Sequence, residues 1–541
     1  MNQAEQLSLQ TGASLQNERL LEYYRQGYWR TGDLWTCVSE VADRHGNKVA
    51  LIEQERTLTF VQMRDQAARL AAGIRGQGVR AGDLVLIHGR NSIEATLSML
   101  ACACLGAVMV PVPPMFSATQ IAAICGNANA RMMIALGEPR EIAQCVEGVR
   151  SASTRTAIVV PHDSVQGSEA VSWSQLAGSD AVWRHSPVDS AALALLVYSS
   201  GTTGTPKGVM HSANTLRFAI EQRARAQQVS NDDVCLVAAQ FGFVGSAVFG
   251  MLACGVLGVT TVLMRSWNGD EALQLIARHR ISYGLLMPTH VHDLLHSPLL
   301  DHLDLTSFKH CAMSGLSPDQ RMAVRDRLCP MPFAAYGMSE CLGLASSRPS
   351  DDLASQLESD GAPLPGNEVR IVDAQGADVM AGQVGEILVR GPCCFLGYYG
   401  NPSLTARCLD RDGWLRTGDL GRLTALGQVV YVAREKDVIR RGGVNIYPGD
   451  TEAVLATHPR IEHVVLVGYP DERLGERACA CVITRDGATI SLEELCHWLE
   501  RRGVARYAWP ERAAVFEQFP RSASLKVQKN VLVQWLEEQS R

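Results

Sequence analysis

Apolar positions along this chain follow two rhythms. Short continuous apolar runs at 49–52, 83–88, 155–160 and 191–198 read as buried strands. Between them lie stretches with apolar residues every three or four positions, at 60–76 and 91–105, which read as helices. The alternation resumes with strands at 234–237, 281–287 and 309–313. Strands alternating with helices predict parallel sheets covered by helices. From 368 to 390 the pattern becomes short strands with glycine turns, which predicts a β subdomain. Beyond 433–437 it changes again: helix at 450–457, strands at 463–469 and 478–484, helix at 491–502. That is a small α+β unit of ordinary domain length. The expected fold is α/β, with a large N-terminal domain (1–433) of parallel and mixed sheets and a small mobile C-terminal domain (434–541). No internal repeat is visible.

Two apolar stretches bear on membranes. Residues 234–264 contain no Asp, Glu, Lys or Arg and are long enough to cross a bilayer. Gly242, Gly245, Gly250, Gly255 and Gly258 punctuate them into strand (234–237), helix (246–254) and strand (259–263). Residues 96–110 read as a helix turning at Gly106 into a strand. Buried α/β core accounts for both, so no integral membrane segment is expected. The chain has 541 residues, 46% hydrophobic and 20% charged, in the range of a globular protein. Fifty basic against 56 acidic residues leave a net charge of −6, which favours neither nucleic acid nor an anionic membrane. The 16 cysteines form no C-x-x-C pair, so neither a zinc site nor a redox pair is expected. With no secretory signal, they read as reduced, mostly buried thiols of a cytoplasmic protein. A monomer or homodimer is expected.

Chemistry is concentrated at 199–208, Ser-Ser-Gly-Thr-Thr-Gly-Thr-Pro-Lys-Gly. It follows the strand at 191–198. Such a loop can turn several backbone N–H groups toward one anion, with hydroxyl donors and a mobile lysine added. It suits a polyphosphate, although no Gly-Lys-[Ser/Thr] closes it as in a P-loop. A polar surface loop is the bland alternative.

Four further motifs follow in order: Tyr336-Gly337-Met338-Ser339-Glu340; Thr417-Gly418-Asp419-Leu420; Arg434-Glu435-Lys436-Asp437 leading into Arg441-Gly442-Gly443; and Pro520-Arg521-Ser522-Ala523-Ser524-Leu525-Lys526. With the loop, they resemble the acyl-adenylate-forming superfamily of acyl- and aryl-CoA ligases, peptide-synthetase adenylation domains and luciferases. The resemblance covers nearly the whole chain. It implies activation of a carboxylate by ATP to acyl-AMP with loss of pyrophosphate, then attack by a thiol. ATP, Mg²⁺ and coenzyme A are the implied cofactor and co-substrates.

The resemblance also distributes roles. Ser199, Ser200, Gly201, Thr202, Thr203, Gly204 and Lys207 hold the β- and γ-phosphates; Glu340 holds Mg²⁺, with a helix-starting carboxylate as its bland alternative. Ser339 reaches the α-phosphate. Asp419 offers two acceptors to the ribose hydroxyls, Arg434 serves ribose or phosphate, and Tyr336 faces adenine. Ser314 and Gly315 lie along the adenine edge, with Leu316 where the family usually has Ala. Lys526 bridges the attacking carboxylate and the α-phosphate; Leu525 stands where the family usually has Gly. Lys436 is the hinge about which the small domain swings. Gly442 and Gly443 admit a pantetheine arm close to backbone, and Arg440 and Arg441 are candidates for the CoA phosphates.

The acyl pocket is expected along Gln240, Phe241, Phe243 and Gly245, and along Ala335, Gly337 and Met338. Its small and aromatic residues predict an apolar acid: aromatic, alicyclic or medium-chain. An α-amino acid is disfavoured, since no Asp offers its buried ammonium a partner. The N-terminal Tyr24-Arg25-Gln26-Gly27-Tyr28-Trp29-Arg30 resembles aryl-acid ligases of siderophore pathways and alicyclic-acid CoA ligases. The competing functions are an enzyme that loads an acyl or aryl carrier protein, and a non-catalytic ATP-binding protein. His290, His292 and His296 lack the Glu of an H-E-x-x-H motif and read as helix-surface or pocket-wall residues.

Overall fold

The computed structural model of this chain describes residues 17–152, 156–161, 170–178, 181–199, 207–313, 315–521 and 527–539. It divides into two compact units, one of residues 1–369 and 389–415, the other of residues 370–388 and 416–541.

The first unit is built on two sheets. In one, the strands Met331–Met338, His310–Met313, Tyr283–Leu286, Val234–Val237, Thr260–Leu263 and Val49–Glu53 run parallel in that order, with antiparallel strands at both edges. The other has seven strands, its centre the parallel set Met132–Ala135, Leu84–His88, Val108–Val112 and Leu193–Ser199. These strands read as continuous apolar runs because helices cover both faces. The helix Phe60–Gly76 begins with a capping box, in which Thr59 accepts from Gln62 N and Gln62 reaches back to the Thr59 backbone. Ile93–Leu105 starts on Ser92 and is buried at every position but Glu94. Phe60, Leu51 and Ile74 have no exposed surface; each such side chain contributes about 2 kcal/mol by leaving water.

The expected helix at 246–254 is present but irregular. After Val244–Ser246 the chain passes through a π-helical segment, Ala247–Leu252, before Ala253–Leu257 restores α geometry. Widened turns of this kind recur at functional sites. No helix among the described residues is long and apolar enough to cross a membrane. All sixteen cysteines are free, and all but Cys394, Cys408 and Cys496 are buried.

The second unit holds most of a four-stranded sheet, Glu368–Val372, Gly385–Arg390, Leu415–Leu423 and Val429–Arg434. It also holds a five-stranded one centred on the long pair Ile461–Asp471 and Gly475–Thr484. Leu455, Leu466, Ala480, Leu495 and Leu499 form part of its core.

Candidate active site

In the first unit the strands Leu193–Ser199 and Lys207–Ser212 form an antiparallel hairpin that sets Ser199 opposite Lys207. Ser200, Gly201, Thr202, Thr203 and Gly204 belong to its connection and lie outside the described residues, as does the side chain of Ser199. Residues 396–399 lie along the second strand. Leu396 N donates to Met210 O and Tyr399 N to Gly208 O, both at 2.8 Å. This places the Tyr398 ring 6.0 Å from the Lys207 ammonium.

Tyr398 joins this hairpin to a second one. Ser339 and Glu340 form the turn between Met331–Met338 and Cys341–Ser346, with Met338 paired to Cys341. Glu340 therefore sits on a hairpin tip and not at a helix start. It is buried. The Tyr398 hydroxyl donates to its Oε1 at 2.7 Å, and Phe395 N donates to its backbone oxygen at 2.8 Å. Burial first, and the Glu340 charge second, hold the Tyr398 phenol far above its usual range, so it remains a donor.

The other side of the turn rests on His211. Its Nε2 lies 2.7 Å from the Ser339 carbonyl oxygen and its Nδ1 3.2 Å from Thr215 Oγ1. A carbonyl only accepts, so Nε2 carries the proton. Burial pushes the His211 pKa down to about 4, leaving a neutral imidazole near pH 7. Neither His211 nor Tyr398 was singled out in the sequence. His211 did leave a signal, since Lys207, Val209 and His211 share one strand face. Tyr398, 58 residues from Glu340, left none.

The remaining first-unit candidates are distributed as follows. Tyr336 is buried opposite Ala345, Ala335 is buried beside it, Gly337 is exposed, and Met338 and Ser339 are half-buried. Gly315 has φ +75° and is exposed; Ser314 lies outside the described residues. A narrow cavity lies between the sheet and the helix Ala213–Ala226, and Gly245 lines it. Phe241 is fully buried in the main core, and Gln240 and Phe243 are half-buried. Between them Gly242 takes φ +95°, and a Cβ there would lie 2.5 Å from Pro113. His290 stacks on Trp267 at 4.0 Å, and His296 Nδ1 bonds the His292 carbonyl.

In the second unit Asp419 and Arg434 are direct cross-strand partners, with Arg434 Nε 2.8 Å from Asp419 Oδ1. Asp419 is buried and Arg434 half-exposed, which pre-orients the carboxylate. Lys436 is exposed on a short 3₁₀ turn, Glu435–Asp437. Gly442 and Gly443 join Ile439–Arg441 to Val444–Ile446 as a two-residue turn with φ +55° and +85°. Positive φ at both positions is the requirement of a type I′ hairpin, which accounts for the pair. Arg441 is held by both oxygens of Glu511, whereas the Arg440 side chain is exposed. Lys526 lies outside the described residues.

The model of one protein family, described as AMP-binding enzyme, matches residues 38–399, and that of the AMP-binding enzyme C-terminal domain matches residues 450–526. The chain belongs to the AMP-binding enzyme family. Among curated members, it is 31% identical to a salicyl-AMP ligase / salicyl-S-ArCP synthetase of Mycobacterium tuberculosis, over 96% of this chain and 93% of that protein. It is 29% identical to a medium-chain fatty-acid–CoA ligase of Escherichia coli, over 95% and 92% respectively. The crystal structure of an anthranilate CoA ligase with anthranoyl-AMP shares the fold, with TM-score 0.86 at 22% identity over 94% of this chain and 98% of that one.

Glu340 offers a carboxylate suited to a magnesium ion. Glu340 Oε1 accepts from Tyr398, and Oε2 has no hydrogen-bond partner among the described residues. A buried carboxylate with one oxygen anchored and one open fits a hard cation that otherwise keeps phosphate and water ligands.

Proposed function

We propose that this chain is an AMP-forming carboxylate–CoA ligase for an aromatic, alicyclic or medium-chain acid. The observation that carries this reading is the match of both family models, in order, to the two parts of the chain. The carboxylate oxygen attacks the α-phosphorus of ATP, the bond to pyrophosphate breaks, and acyl-AMP forms. A thiol sulfur then attacks the acyl carbon and AMP leaves.

In the first step two anions meet, so fixed donors and cations dominate catalysis. Lys207 and the loop before it hold the departing pyrophosphate. Glu340, anchored by Tyr398, would hold Mg²⁺, which would supply charge neutralisation on the phosphates. His211 fixes the Ser339 carbonyl and so aims Ser339 at the α-phosphate. Asp419, kept in place by Arg434, takes the ribose hydroxyls. Lys526 bridges the reacting groups. We place the functional domain boundary at 434 and the hinge at Lys436, with Gly442, Gly443 and Arg440 serving the thiol step. The sixteen free thiols and the use of ATP support a cytoplasmic setting.

A second reading, transfer to a carrier protein, is supported by the identity to the salicyl-S-ArCP synthetase. Acid-dependent AMP formation with free CoA against a panel of carrier proteins tests the choice. Thioester formed on CoA supports the lead; transfer only to a carrier protein supports the second.

A further inference from the structure

The cavity under the helix Ala213–Ala226 is not uniformly apolar. Its middle is lined by Val237, Ala239, Leu285 and Ala312, but Arg223 stands in its wall. Three arginines of the first unit are buried. Arg217 donates to the Gly32 and Arg30 carbonyls and to Asn214. Arg321 donates to four backbone carbonyls and to Asp360. Arg223, 9% exposed, has no hydrogen bond or ion pair to its guanidinium among the described residues.

The Phe249 ring, from the π-helical segment, packs on Arg223 with its centroid 4.4 Å from the guanidinium carbon. A ring face attracts the cation but satisfies none of its five N–H donors. Burial pulls the Arg223 pKa down to about 10, which leaves the charge in place near pH 7. Tyr283 and Cys235 line the same end, and Gln227 donates to Ser346 nearby. A cation whose donors open only toward a cavity calls for an acceptor.

The register sets the dimension. Cys235, Tyr283, His310 and Met331 are at one level of the sheet, and Ala335 is four residues farther along the strand Met331–Met338. At the rise of a strand, the level of Cys235 and Tyr283, beside Arg223, lies about 13 Å along the sheet from that of Ala335. Substrates of parallel sheets meet the carboxyl ends of the strands, where Ala335 and Gly337 lie.

We infer that Arg223 is a specificity residue that receives a second oxygen acceptor, a carboxylate or a carbonyl, at the distal end of the acid being activated. The inference rests on the ligase reading above and narrows its substrate to an acid with an apolar middle and a polar far end.

The test uses the full-length enzyme, its Arg223→Met variant of similar volume and its Arg223→Lys variant that keeps the charge. Acid-dependent ATP–pyrophosphate exchange is measured with matched acids of one chain length, either plain, with a terminal carboxylate, or with a terminal ketone. The wild type should prefer one functionalised acid over the plain one by at least about tenfold in kcat/KM, and which one identifies the acceptor. Arg223→Met should lower that acid by about ten- to hundredfold, the worth of a charge-assisted hydrogen bond, and raise the plain acid. Arg223→Lys should keep part of the preference. Equal use of plain and functionalised acids by the wild type overturns the inference and leaves the ligase reading standing. An equal fall on all acids in Arg223→Met, with Arg223→Lys behaving like the wild type, also overturns it, since that outcome marks a packing role. Exchange with no acid at all overturns the ligase reading and this inference together.

Discussion

Replacing His211 separates its two duties, holding the Ser339 carbonyl and staying neutral in the core. A glutamine reproduces the Nε2–H donor without a titrating ring; a phenylalanine keeps the volume and removes the donor. The imidazole has a pKa of about 4 when folded against about 6.5 when unfolded. Its folded pKa is depressed, so the neutral form contributes stability that is present above the unfolded value and lost as pH falls toward the folded one. The full difference corresponds to about 3 kcal/mol, of which about 2.5 kcal/mol is lost by about pH 4.5. His88, His290 and His310 are also pushed down to about 4 by burial, so acid weakens the protein at several points. Those contributions cancel when wild type and His211→Gln are compared. Urea unfolding followed by tryptophan fluorescence at about pH 7.5 and about pH 4.5 should show the stability gap between them shifting by about 2.5 kcal/mol in favour of the variant at the lower pH. At about pH 7.5, His211→Gln should retain exchange activity, whereas His211→Phe should lose it at least about tenfold because the Ser339–Glu340 turn is no longer fixed. A gap independent of pH, or equal activity of the two variants, refutes the reasoning.

Other outcomes follow from the same geometry. Tyr398→Phe removes the anchor of Glu340 Oε1, a bond to a charged group worth about 1.5–3 kcal/mol; exchange titrated with MgATP should show kcat/KM reduced by tenfold or more, and an unchanged value contradicts the role. Asp419→Ala should raise the KM for ATP and abolish discrimination against 2′-deoxy-ATP, which a merely structural carboxylate would not affect. Lys526→Ala should abolish ATP–pyrophosphate exchange while thioester formation from supplied acyl-AMP survives; equal loss of both half-reactions sinks the division of labour. Gly443→Leu should do the reverse, because leucine at φ +85° strains the turn assigned to the thiol step.

Much of the scaffold was legible because its strands are buried on both faces and bounded by turn residues. The strand expected at 234–237 is Val234–Val237, and the helix expected at 60–76 is Phe60–Gly76. The π-helical segment was not legible: a 3.6-residue rhythm does not announce one widened turn among small residues. The order of the five motifs carried the family. What the sequence hid is the contacts that travel through space. Tyr398 reaches Glu340, and the His211 ring reaches Ser339, 128 residues away. Arg223, which no motif singles out, faces a cavity and not a carboxylate. The glycine pair at 442–443 is a hairpin requirement first, so its part in thiol transfer rests on the experiment above.

The central claim is that this chain makes an acyl adenylate. It is tested most directly by exchange of labelled pyrophosphate into ATP, in the presence of Mg²⁺, over a panel of aromatic, alicyclic and medium-chain acids. The account predicts exchange that depends on the acid, needs no thiol, and gives way to net AMP and acyl-CoA once CoA is added. Absence of exchange across the panel, or formation of ADP and phosphate in its place, contradicts it.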